Sequence, residues 1–219
     1  VPRHRSALLV ATALFTLAIP NNAPPAAAGA CPDVQVIYAR GTNTTPPVDP
    51  VGQALVNILT TQLAPRSLAI YGVDYPATLD LAGSTPQGSA VAWQYIQNQV
   101  AACPATRLVL SGYSQGANVI DALTADSGTA LTVPTPMPAA TAAHVAAVVL
   151  FGDPSRKVGG GPLTGRSSLY GAKTIDLCMP GDPICSWGTD LLAHGRYIDS
   201  GTVAQGAQFA ASRVVQTTG

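Results

Sequence analysis

The sequence predicts a three-layer α/β domain, with helices on both faces of a central, mainly parallel sheet of five strands. Two observations lead there. Short runs rich in β-branched and aromatic residues recur between Gly, Pro or polar residues, and the intervals between them carry apolar residues at helical spacing. Strand and helix alternating in this way make parallel βαβ units, and such sheets gather reactive groups at the carboxyl ends of their strands.

The first thirty residues stand apart from that pattern. Arg3 and Arg5 precede an apolar run from Ala7 to Ile19, a Pro/Ala stretch follows, and Ala28-Gly29-Ala30 stands before Cys31. This is the pattern of a secretory signal peptide, residues 1–30, and its apolar run is shorter than the roughly 20 residues that cross a bilayer. Residues 31–219 are read as one domain, because about 190 residues can bury a proper core and no internal repeat or interior linker divides them.

Within that domain the first strand is "VQVIYA" (34–39). A helix over Val51 to Leu63 follows, with Leu55, Ile58, Leu59 and Leu63 on one face. "SLAIYGV" (67–73) is the second strand, and a helix over Ala90 to Ala102 repeats the spacing with Trp93, Ile96 and Val100. "RLVLSG" (107–112) is the third strand and runs into a helix that starts near Gln115. "VAAVVLFG" (145–152) and "KTIDLC" (173–178) are the fourth and fifth, and a helix from Val203 to Val215 closes the domain.

Charge narrows the function classes. Loss of Arg3 and Arg5 would leave nine Lys+Arg against 11 Asp+Glu, a net charge of −2, so nothing here recruits nucleic acid. Charged residues make up only 10% of the chain while hydrophobic residues, at 47%, are ordinary. The surface is therefore poor in charge. That suits apolar or interfacial substrates, and it equally suits a secreted protein that presents Ser, Thr, Gln and Asn to water.

The four cysteines all lie in the part expected to be exported, where thiols oxidise, and they allow three pairings. Cys31 stands just before the first strand and Cys103 just before the third, which puts both at the starting edge of neighbouring strands and pairs them. Cys178 and Cys185 then close the short loop "CMPGDPIC".

One stretch carries chemistry. "GYSQG" is a Gly-x-Ser-x-Gly between a strand ending near Ser111 and a helix starting near Gln115. That context makes it a strained strand-to-helix turn that lifts the Ser114 hydroxyl above the sheet. A serine hydroxyl needs a base to take its proton. His144 precedes the fourth strand, at the amino end of the sheet, far from Ser114; His194 follows the fifth strand in "LLAHG" and is the candidate base. A base needs an acid to fix its tautomer. Asp176 lies inside the last strand and Asp190 is a near neighbour of His194, which leaves Asp182 in the cysteine-closed loop and Asp153 after the fourth strand as rivals. Asp182 gives the chain order Ser, Asp, His of α/β-hydrolases, although a Gly-Asp-Pro turn would also use an aspartate there.

With "YARGT" (38–42), "GYSQG" (112–116), "DPIC" (182–185) and "AHG" (193–195), and with four cysteines in order, residues 31–219 resemble the cutinase family, especially the secreted cutinase-like esterases of mycobacteria. The resemblance implies a small, lidless α/β-hydrolase-like fold that hydrolyses carboxylic esters through an acyl-enzyme, without metal or organic cofactor. Matched residue by residue, it supports Ser114, Asp182 and His194 as the triad, Thr42 and Gln115 as the oxyanion hole, and disulfides Cys31–Cys103 and Cys178–Cys185. Fungal cutinases commonly have serine after "ARG"; here Thr42 keeps the hydroxyl and adds a methyl group.

Leu79 and Leu81, in the loop after "VDYP", and Trp187, Leu191 and Leu192, around the loop bearing His194, are candidate apolar lips for an acyl chain; core packing would explain Trp187 equally well. The expected partner is an ester or lipid substrate of short to medium acyl length, met by a secreted monomer with at most a loose hold on the cell envelope. Two further classes stay open: acyl transfer or phospholipid cleavage by the same residues, and a secreted surface-binding or antigenic protein that keeps the fold without turnover.

Overall fold

The computed structural model describes residues 31–126 and 136–216, so the expected signal segment 1–30 lies outside the described residues. Among them, β1 (Val34–Ala39), β2 (Leu68–Gly72), β3 (Arg107–Tyr113), β4 (Val145–Phe151) and β5 (Thr174–Leu177) form one sheet in the order β2-β1-β3-β4-β5. Every pairing is parallel. The helices are α1 (Pro50–Leu63), α2 (Leu81–Ala102), α3 (Gln115–Thr124), the single turns α4 (Ala139–Ala142) and α5 (Ser155–Val158), and α6 (Thr202–Gln216).

The period of two along each strand sorts the core into two layers. Val36 and Tyr38 of β1, Val109 of β3, and Val149 and Phe151 of β4 face α1 and α6, where Leu55, Leu59, Val203 and Ala207 meet them. Ile37, Leu108, Leu110, Val148 and Leu150 point the other way, onto Ile96 of α2 and Val119, Ile120 and Leu123 of α3. Each buried Leu, Ile or Val of this kind contributes about 1.5–3 kcal/mol. β1 and β4 are buried along their whole length, as strands covered on both faces are, which is why β4 reads as a continuous apolar run and β1 is broken only by the buried Gln35.

The sheet order locates the functional end. From β1 the chain steps outward to β2, then returns to place β3 on the other side of β1, so the winding reverses between β1 and β3. In an open parallel sheet that reversal leaves a crevice at the carboxyl ends of the two strands. Gly41 and Thr42 leave β1 there, and Ser114 leaves β3.

Cys31–Cys103 and Cys178–Cys185 are bonded, with Cα separations of 5.6 and 5.8 Å. β1 and β3 pair from Val34 and Arg107 onward, so the first bridge sits at the amino edge of neighbouring strands.

One boundary differs from the sequence expectation. α2 begins at Leu81 rather than Ala90, because its first turns, "LAGSTPQG", have no apolar period and contain Pro86. Local bonds hold them instead. Asp80 accepts from the Gly83 N–H at 3.2 Å. A β-carbon on Gly88 would lie 2.8 Å from both the Tyr75 and Val119 side chains, so this turn packs by having no side chain. Leu81 therefore opens a helix and does not lie in the preceding loop.

Candidate active site

Ser114 joins β3 to α3 with φ 57° and ψ −121°, a strained backbone for a residue with a side chain. Its N–H donates to the Phe151 carbonyl of β4 at 2.8 Å. The flanking glycines make the turn feasible. A β-carbon on Gly116 would stand 1.9 Å from the Ala39 carbonyl oxygen, and one on Gly112 would stand 2.2 Å from the Gly116 carbonyl oxygen. A side chain at either place would push α3 off the sheet. Close approach of helix and strand is thus what the Gly-x-Ser-x-Gly spacing serves, and it leaves Ser114 Oγ at the carboxyl edge.

His194 arrives on the one-turn 3₁₀ segment Ala193–Gly195. Its Nε2 is 2.9 Å from Ser114 Oγ and its Nδ1 is 2.8 Å from Asp182 Oδ2. A carboxylate only accepts, so Nδ1 carries the proton and Nε2 is left to receive one from the serine. Asp182 is fully buried, and its Oδ1 accepts from the Ile184 N–H at 2.8 Å. The imidazole is held from below: the Tyr113 ring stacks on it at 4.9 Å between centroids, and the Tyr113 hydroxyl donates to the His194 carbonyl at 2.5 Å. Burial pushes the Tyr113 phenol up to about 12, so that donor persists through the neutral range. Gly152, at φ +63°, makes room, since a β-carbon there would lie 2.9 Å from His194 Cε1.

The rival residues lie elsewhere. His144 precedes β4 at the amino end of the sheet, where its carbonyl accepts from the Leu108 N–H at 2.9 Å. Asp153 is fully buried, accepts from the Ser155 N–H at 2.9 Å and faces Arg166 at 3.9 Å. Burial, with Asp121 and Asp176 close by, drives its carboxyl well above the usual range. Asp176 takes Arg156 at 3.3 Å, and Asp190 takes Arg196 at 3.3 Å. Asp182 is the carboxylate bonded to His194 among the described residues.

Thr42 and Gln115 both border the cleft at Ser114. Gln115 opens α3, so its backbone N–H belongs to a helix start, where donors lack intrahelical partners. Its side-chain amide donates to the Thr78 carbonyl at 3.0 Å. The Thr42 loop is set by a residue that sequence reasoning missed. Asp49, buried, accepts from the Gly41 N–H at 2.7 Å and the Tyr38 hydroxyl at 2.7 Å while capping α1 through the Gly52 N–H at 3.0 Å. The available signal was "DP" ahead of a helical pattern, a helix-start signature. Asn43 N–H donates to Ala77 at 2.7 Å and Arg40 to Pro76 at 3.1 Å, which ties this loop to the one after β2.

A cleft of about 360 Å³ opens beside Ser114, bordered by Leu79 and Leu81 and also by Val158 and Ile184. Those two were illegible because each is a lone apolar residue, Val158 ending the single turn α5 before three glycines and Ile184 in the Pro- and Gly-containing loop closed by Cys178 and Cys185. Trp187, Leu191 and Leu192 are 82%, 77% and 72% exposed and are not among the residues that border this cleft. The Trp187 ring instead carries the Lys157 ammonium at 4.6 Å, and Lys157 is the charged side chain of the cleft border.

Known proteins are similar to this chain over most of its length. The family model described as Cutinase matches residues 30–214. Carboxylesterase Culp1 of Mycobacterium tuberculosis is 45% identical over 212 residues, covering 94% of this chain and 93% of the relative. Phospholipase Culp4 of the same organism is 46% identical over 209 residues, covering 95% and 89%. Among solved structures, a Trichoderma reesei cutinase in complex with a phosphonate inhibitor is 36% identical with a TM-score of 0.65, over 86% of this chain and 78% of that one. A match of that extent, on a chain whose sheet, elbow and disulfides have the geometry described, places it in a family: the chain belongs to the cutinases.

Proposed function

We propose that this protein is a secreted serine esterase that hydrolyses carboxylic esters of short to medium acyl length. The observation that carries the reading is the unbroken line from Ser114 Oγ through His194 to Asp182, at 2.9 and 2.8 Å, opening into an apolar cleft. In this mechanism His194 Nε2 takes the Ser114 proton as Oγ attacks the ester carbonyl, and Asp182 stabilises the imidazolium that results. The tetrahedral oxyanion is met by the Gln115 N–H and by donors of Thr42, each worth about 10²- to 10³-fold in rate. His194 then protonates the leaving alcohol, and water repeats the sequence on the acyl-enzyme to release the acid.

The similarity to proteins named carboxylesterase and cutinase supports the reaction class. Two disulfides fit a protein that works in an oxidising compartment, as expected of a single domain released by removal of residues 1–30. A phospholipid ester is the second reading, favoured by the relative named as a phospholipase. The test is hydrolysis of a p-nitrophenyl ester series of increasing acyl length, with Ser114→Ala alongside. Turnover of the shorter esters that vanishes in Ser114→Ala is expected. Equal rates in the two proteins would overturn the proposal.

A further inference from the structure

We propose that Tyr197 is a positioning residue for this reaction, its hydroxyl fixing the direction and charge of Asp182 at the same oxygen that holds His194. The inference rests on the triad reading above. The Tyr197 hydroxyl lies 2.7 Å from Asp182 Oδ2, the atom that also sits 2.8 Å from His194 Nδ1. With the Ile184 N–H at 2.8 Å on Oδ1, Tyr197 pins the carboxylate plane from a third direction.

The direction of the Tyr197 proton follows from its other neighbours. The Met179 N–H, at 3.1 Å, can only donate, so it occupies a lone pair of the phenol oxygen. Cys185 Sγ, at 3.4 Å, is bridged to Cys178 and carries no hydrogen. A sulfur at that range is a poor acceptor beside a carboxylate oxygen at 2.7 Å. The hydroxyl therefore donates to Asp182. Burial drives the Tyr197 phenol far above its ordinary range, so the donor survives at any working pH. Edge contacts with Phe151 at 6.1 Å, Tyr113 at 5.7 Å and the His194 ring at 6.2 Å hold the ring, which is fully buried.

Two consequences follow for the reaction. The second proton donor on Oδ2 keeps that oxygen, rather than Oδ1, turned to the imidazole. It also draws charge from the carboxylate and so moderates its grip on the imidazolium. Tyr197 does not border the cleft, and its one polar contact with the triad is the bond to Asp182.

The test is Tyr197→Phe, which keeps the ring and removes one oxygen. The turnover number is expected to fall about tenfold, the scale of one charge-assisted bond, with KM within about twofold. The acid limb of the kcat/KM profile is expected to move to higher pH, because an unmoderated carboxylate holds the imidazolium proton longer. A merely structural role would lower the melting temperature without moving that limb. In an Asp182→Asn background, Tyr197→Phe is expected to cost no further rate; an equal loss there, or an unmoved limb, would overturn the proposal. A readout independent of turnover is the far-downfield proton resonance of the His194–Asp182 bond, which is expected to shift in Tyr197→Phe and whose constancy would also overturn it. The esterase reading fails differently, by absence of ester hydrolysis in the unaltered protein.

Discussion

Ser114 and His194 can lose their function without loss of the fold, because Ser114 is only half-buried and 19% of the His194 side chain reaches solvent. Ser114→Ala and His194→Ala are each expected to cut turnover at least about 10⁴-fold with little change in the thermal melt, while His144→Ala keeps most of it. Asp182→Asn should cost about 10³- to 10⁴-fold through the wrong imidazole tautomer. Asp153→Asn should cost almost nothing in turnover, and its effect lies in stability. Burial raises the folded carboxyl above its unfolded value, so between those two values the folded protein binds the extra proton and stability falls as pH rises. Asn at 153 has no proton to hold, so a pH series of melting temperatures should lose that part of the slope. The Ser, His and Asp of the site were legible because each stands at a fixed place relative to a strand end, and chain order did the rest. Asp49 and Tyr197 were not, because their roles depend on where side chains converge from distant segments, which no local pattern encodes.

At the scale of the element, the elbow and the disulfide loop make separable predictions. Gly116→Ala would put a β-carbon 1.9 Å from the Ala39 carbonyl oxygen, a rigid backbone atom. A cost of about 3 kcal/mol is expected, read as a fall of about 6–12 °C in melting temperature. The eight residues closed by Cys178–Cys185 constrain the unfolded chain by about 2.5 kcal/mol, against about 4.4 kcal/mol for the longer Cys31–Cys103 loop. The small bridge, however, encloses Asp182, and a misplacement of about 1 Å in such a constellation can cost about 10²-fold in rate. Cys178→Ala/Cys185→Ala should therefore lose turnover more than it loses thermal stability, and Cys31→Ala/Cys103→Ala should do the reverse, as paired melts and assays well below the melting range will read. The strands, α1, the second half of α2 and α6 were legible from their periods, while the single turns α4 and α5 are too short to carry one. The start of α2 was not, because close packing at Gly88 and a cap at Asp80 hold a stretch that has no apolar face.

Across the whole molecule, a chain with 10% charged residues presents Leu79, Leu81 and Val158, each more than half exposed, around a cleft that holds Ser114. Such a surface meets apolar esters without a segment having to move aside. Rates on a short-chain ester should rise smoothly through its aggregation threshold, and esters of short to medium acyl length should be preferred to long-chain triglycerides. A sharp jump at the threshold would mean that the site is covered in solution. The claim on which everything else depends is that Ser114 is the nucleophile of one competent site per chain. Its most direct measurement is stoichiometric labelling with a p-nitrophenyl phosphonate, followed by peptide mass mapping and residual esterase assay. One phosphonyl group per chain is expected, on Ser114, with activity lost in proportion and no label on Ser114→Ala. Esterase activity that survives full exposure, or a label that maps to another residue, would contradict it.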